Sequence, residues 1–122
     1  MADVDTNLNT IQRYFKLSDF ASCDIDSFNE IINLFDDNAR IKSGMDETAR
    51  GKDEVSDFFK LFFGRNKQLK HIFKTRDIDD NYKTEWVVAG LKGDDTLFSL
   101  HGFDYYQFDD AGKIVDLKVV IE

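Results

Sequence analysis

The feature that most constrains this chain is a change of hydrophobic period near residue 65. Before it, apolar side chains recur at helical spacing; after it, they alternate. In the first half Leu8, Ile11, Tyr14 and Phe15 share one side of a helix predicted over about residues 5–22. Phe28, Ile31, Ile32 and Phe35 follow i, i+3, i+4, i+7 and mark a second helix, with Ser27 and Glu30 in the relation of a capping box. Asp36-Asp37-Asn38 is expected to end it, residues 39–43 to form a short strand, and residues 44–51 a polar loop. A third helix follows Gly51. Asp53 and Glu54 fill its first turn, where the macrodipole favours anions, Val55, Phe58, Phe59 and Phe62 form its apolar face, and Gly64 closes it.

Residues 69–79, 83–92, 96–108 and 113–121 then read as strands. Their joints, Asp79-Asp80-Asn81, Gly93-Asp94-Asp95 and Asp109-Asp110-Ala111-Gly112, carry turn chemistry, and such short links force antiparallel neighbours. Helices first and a meander second define an α+β class. The expected architecture is about three N-terminal helices packed in the concave face of a curved, mostly antiparallel sheet, as one domain over residues 1–122.

A net charge of −8 repels a phosphate backbone, and no basic stripe with interleaved aromatics offsets it, so nucleic acid is not an expected partner. No apolar run approaches the roughly 20 residues of a membrane span. The first residues lack a cationic segment followed by an apolar one, and Cys23 is a lone cysteine that reads as a plain small residue near a helix end; both fit a cytoplasmic protein. Two histidines thirty residues apart and the absence of a Gly-rich phosphate cradle give no reason to expect a metal or a cofactor.

The strand over residues 96–108 carries the most information. One face shows Phe98, Leu100, Gly102, Asp104, Tyr106 and Phe108; the other shows Leu97, Ser99, His101, Phe103, Tyr105 and Gln107. The first face is apolar apart from one carboxylate and should meet the helices. Asp104 is then expected to point into an aromatic interior, where a carboxyl must find donors or stay protonated. On the second face His101, Phe103 and Tyr105 are expected to meet a second copy in a homodimer. In the last strand Leu117, Val119 and Ile121 form the inner row, with Asp116 and Lys118 outside.

Gln12-Arg13-Tyr14, the run Leu34-Phe35-Asp36-Asp37-Asn38-Ala39, Gly51, and the stretch from Asp104-Tyr105-Tyr106-Gln107-Phe108 through Gly112-Lys113-Ile114-Val115 resemble ketosteroid isomerase-like, SnoaL-like and nuclear transport factor-like proteins. The resemblance covers nearly the whole chain, with a few extra residues around 18–26. It implies a cone-shaped fold around a pocket, and an oxyanion hole made by a helix tyrosine and a protonated strand aspartic acid, here Tyr14 and Asp104. It also implies a carboxylate base near the start of the sheet. That position is Ser43, a hydroxyl that is no base near neutral pH without an activating partner; Asp46 or Glu47 in the following loop are the nearby carboxylates.

Some related dehydratases and cyclases carry an inward histidine on the strand that holds His71, which alternates here with Phe73 and Thr75 and is either an acid–base residue or a surface one. Ser43, Phe58, Phe59, Phe62, Trp86, Phe98, Leu100, Tyr106, Leu117 and Val119 are the expected pocket lining, although the three phenylalanines also suit a plain core and Trp86 suits sheet packing. The expected ligand is a small apolar carbonyl- or hydroxyl-bearing molecule, either processed by proton transfer or bound without chemistry.

Overall fold

The computed structural model describes residues 4–44, 47–78 and 81–122. Helix α1 (Val4–Ser18) stops short of the expected residue 22. The Leu17 carbonyl accepts the N–H groups of both Phe20 and Ala21, and the Ser18 hydroxyl donates back to the Tyr14 carbonyl, so the chain tightens into turns there. Helix α2 (Ile25–Asn33) begins at an Asp24 N-cap, not at a Ser27–Glu30 box. The Asp24 carboxylate accepts from the Asp26 N–H and the Ser27 hydroxyl, while Glu30 pairs with Arg13 of α1. The second helix was expected to hold Phe35. Instead Phe35 opens strand β1 (Phe35–Lys42), because Leu34 and Phe35 are drawn into pairing with Ile114.

The expected polar loop contains a further strand, β2 (Thr48–Arg50), antiparallel to β1. Asp46 lies outside the described residues. Helix α3 (Gly51–Gly64) starts at Gly51 with φ +81°, a left-handed conformation that suits glycine, and buries Val55, Phe59 and Phe63. Strands β3 (Asn66–Ile78), β4 (Asn81–Lys92), β5 (Leu97–Phe108) and β6 (Ile114–Ile121) form the antiparallel meander. The strand order is β2-β1-β6-β5-β4-β3, and the β1–β6 pair is parallel, which makes the six-stranded sheet mixed. No helix of the described residues is long and apolar enough to cross a membrane.

Strand parity is as the sequence implies. On β5, Gly102, Asp104 and Tyr106 are buried and Leu97, Ser99 and Tyr105 are exposed. The helices lie against the inner row, and aromatic rings fill the junction: Tyr14 meets Phe35, Phe59 and Tyr106 edge-on at centroid separations of 6.2, 6.1 and 6.1 Å. Phe15 stacks on Phe73 of β3 at 4.6 Å. On the outer face the Lys83 ammonium sits 4.5 Å from the Phe103 ring centroid and 5.5 Å from that of Tyr105, and His101 Nε2 lies 2.7 Å from a Glu85 carboxylate oxygen. Cys23 is exposed.

Candidate functional site

Asp104 is 3% exposed, placed by β5 under the helices. Both of its carboxylate oxygens are used. Oδ1 accepts the Trp86 indole N–H at 2.9 Å and Oδ2 accepts the Tyr106 hydroxyl at 2.7 Å. Burial pushes this carboxyl up to about 7, against the two donors, which favour its ionised form. Tyr14, the expected partner, is not hydrogen-bonded to Asp104. Its hydroxyl has no hydrogen-bond partner among the described residues, and burial followed by the nearby Asp104 charge holds it well above the ordinary tyrosine range, so it remains a donor.

Trp86 reaches Asp104 because its cross-strand neighbour is a glycine. Trp86 and Gly102 are paired between β4 and β5, and a Cβ on Gly102 would lie 2.6 Å from the indole ring and 2.4 Å from the Val120 carbonyl oxygen. Gly90 does the same for Phe98: a Cβ there would meet that ring at 2.4 Å. Two small residues thus let two large rings lie flat across the inner sheet.

Beside Asp104 opens a cavity of about 200 Å³. Phe58, Phe59 and Phe62 of α3, Tyr14 and Phe15 of α1, and Leu69, Trp86, Val88, Phe98 and Leu100 of the sheet make it strongly apolar. Of the expected lining, Ser43, Phe58, Phe59, Phe62, Trp86, Phe98, Leu100 and Val119 reach it, as do Tyr14, Asp104 and His71. Tyr106 and Leu117 do not. They are buried behind the wall, Tyr106 with its hydroxyl spent on Asp104. Ser43 and Glu47 close the β1–β2 loop on one another: the Ser43 hydroxyl accepts the Glu47 N–H at 3.1 Å, and the Ser43 N–H donates to the Glu47 carbonyl at 2.8 Å. Glu47 is exposed at the rim.

His71 is the second titratable group on the cavity. Its backbone N–H and its Nδ1 both meet Asp19 Oδ1, at 2.9 and 2.8 Å. An ionised carboxylate only accepts, so Nδ1 carries the proton and Nε2 is left as the acceptor. Burial lowers the His71 pKa, opposed by the hydrogen bond and charge of Asp19. The imidazole is therefore neutral and oriented. Sequence reasoning missed Asp19, which lies in the turns after α1 where a longer helix was expected; only a broken helical period there would have marked it. Phe15, Ser18, Arg65, Leu69, Val88 and Ile121 were also missed as lining. Among the described residues no group of three or more His, Cys, Asp or Glu could hold a metal ion.

The fold is thus a cone-shaped α+β one, enclosing an apolar cavity flanked by an acid and a histidine–aspartate pair. The SnoaL-like domain family matches residues 11–117, and the chain belongs to that family. Among solved structures it is similar to an NTF2-like protein of unknown function from Exiguobacterium sp. 255-15. They share 29% identity over 93% of this chain and 98% of that one, at a TM-score of 0.83. It has the same fold as a candidate SnoaL-like polyketide cyclase from Jannaschia sp. CCS1, at 13% identity over 97% of this chain and 86% of that one, TM-score 0.78. A comparison with curated proteins gives no match.

Proposed function

We propose that this protein holds a compact apolar molecule bearing a carbonyl or hydroxyl group and moves a proton on it, as an isomerase, cyclase or dehydratase does. One observation carries the reading: two titratable groups, half-buried His71 oriented by Asp19 and buried Asp104 oriented by Trp86 and Tyr106, line the same apolar cavity. Neutral His71 takes a proton through Nε2 from the carbon beside a ligand carbonyl. Asp104 in its protonated form, with the Tyr14 hydroxyl, donates hydrogen bonds to the oxygen on which charge develops. The imidazolium then returns the proton to a second carbon, or gives it to a departing hydroxyl. His71 of β3 thereby supplies the base for which Ser43 is unsuited. The Jannaschia neighbour's description as a candidate polyketide cyclase names a chemistry of the same kind.

The test uses a bicyclic ketone such as tetralone in deuterium oxide, with α-proton exchange followed by NMR. The native chain is expected to accelerate exchange, and His71→Gln to lower the rate by roughly 100-fold or more. Asp19→Asn removes the charge that raises the His71 pKa, so the limb of the pH–rate profile governed by His71 should move to lower pH. Asp104→Asn and Tyr14→Phe should weaken binding in a thermal-shift series of phenol-like and bicyclic ketone ligands. Binding that none of these variants alters would place the site elsewhere.

A second reading is a binding module without turnover, favoured by the serine at position 43. Tight binding with no exchange above the buffer rate would select it.

Self-association through the outer sheet face is part of the proposal. Exposed Ile72, Val87 and Tyr105 share that face with His101 and Phe103. Sedimentation at micromolar concentration should give a dimer that Phe103→Asp dissociates; a 14.2 kDa species for the native chain would refute it.

A further inference from the structure

The rim of the cavity carries a cation that the fold does not use. Arg65 is the C-cap of α3, and its backbone is pinned from both sides: its N–H donates to the Leu61 carbonyl at 3.2 Å, and its carbonyl accepts the Gly93 N–H at 3.0 Å. The side chain lines the cavity, is exposed, and has no carboxylate partner among the described residues. What sets Arg65 apart from the other cations is its place: it is the guanidinium that lines the cavity. The neighbouring acids are engaged elsewhere. Asp95 is held by Lys67 at 2.7 Å, and Asp94 binds the Thr96 N–H and lies near Lys92. Lys92 adds a second positive charge to this side of the mouth, its ammonium 5.6 Å from the centroid of the cavity-lining Phe98 ring. Among the described residues Glu47 is the acidic side chain on the rim, and it belongs to the β1–β2 loop.

The chamber therefore has hydrogen-bonding groups at Asp104, Tyr14 and His71, an apolar middle, and a cation at the opening. At about 200 Å³ it lies below the roughly 300–1,000 Å³ of sites for drug-sized ligands, so its occupant is compact. We infer that the occupant is a small apolar acid, whose carboxylate seats on Arg65 at the rim while its carbonyl or hydroxyl end reaches Asp104 and His71. The inference rests on the pocket reading above and adds the charge of the ligand to it. The competing account is that Arg65 only complements the C-terminal end of the α3 dipole, which requires no ligand charge.

Calorimetric titration with para-hydroxybenzoate and para-hydroxyphenylpropanoate, each against its methyl ester, separates these accounts. The two acids differ in reach, so they test two separations between the carboxylate and the hydroxyl. On the native protein the better acid should bind about tenfold or more tightly than its ester, since a hydrogen bond to a charged partner outweighs a neutral one. Arg65→Gln, which keeps the polar stem, should abolish that preference without weakening the ester, and Arg65→Glu should reverse it. The preference should also shrink as salt is added, because the rim is open to solvent. Esters that equal their acids, or a preference that survives Arg65→Gln, would overturn the charge inference. If the esters bind and Asp104→Asn weakens them, the pocket reading stands without it. If no acid or ester binds at millimolar concentration, both fall. A lower unfolding midpoint for Arg65→Gln with unchanged ligand preference would assign the residue to the helix alone.

Discussion

Asp104→Asn is expected to stabilise the protein at about pH 8 and to leave its stability nearly unchanged at about pH 4. In the native fold this carboxyl holds its proton up to about 7, whereas in the unfolded chain it releases it near 3.8. Between those values the folded state binds the extra proton, so its stability falls as pH rises, by about 1.4 kcal/mol per pH unit. Above about 7 the full cost is present; below about 4 it vanishes. The integrated penalty is on the order of 4 kcal/mol, a large share of the 5–15 kcal/mol typical of a domain. Asparagine keeps the shape, accepts the Trp86 N–H through its oxygen, and can donate its amide to a rotated Tyr106 hydroxyl. Asp24, Asp94 and Asp109 are held below their ordinary values, so they affect stability at the acid end and do so equally in the native chain and the variant. The measurement is therefore the difference between native and variant urea midpoints across pH 4–8. A difference that is flat with pH would mean that Asp104 is not the buried acid described here.

Gly102→Ala should do the opposite and damage the fold at every pH. The added Cβ would sit 2.4 Å from the Val120 carbonyl oxygen and 2.6 Å from the Trp86 ring. The strand cannot retreat from a backbone oxygen with which it is paired, so the indole must move, and its hydrogen bond to Asp104 goes with it. Overpacking together with a lost bond to a buried acid should cost about 3 kcal/mol or more. Gly64→Ala is the matched control. Nothing lies within 4 Å of a Cβ there, and the residue is helical. That change should be neutral or stabilising by up to about 1 kcal/mol. Equal urea midpoints for Gly102→Ala and the native chain would show that the sheet has slack the close contacts deny.

The contrast between these glycines indicates what the sequence could and could not reveal. The change of period separated helices from strands, and alternation along β5 placed Asp104 inward, because both are properties of single segments. The parallel β1–β6 pair depends on partners distant in sequence, to which local spacing is blind, and the strand Thr48–Arg50 is too short to show a period; the start of α2 is set locally, by an Asp24 cap that competes with the Ser27–Glu30 pattern. The same holds for the site. Tyr14, Asp104 and His71 were identifiable as types and positions, but their wiring was not. Asp104, expected to act with Tyr14, is hydrogen-bonded to Trp86 and Tyr106. His71 owes its orientation to Asp19, fifty-two residues earlier in the chain. Such bonds become visible only once the turns after α1 have folded against β3.

The indole that touches Asp104 belongs to the only tryptophan in the chain. Its emission therefore arises from one place, the wall of the chamber, and responds to the charge on the carboxylate it is bonded to and to whatever displaces water beside it. The protein carries a built-in optical reporter, so the arrival of a guest can be followed in the unlabelled native chain, before any chemistry has been assigned to it.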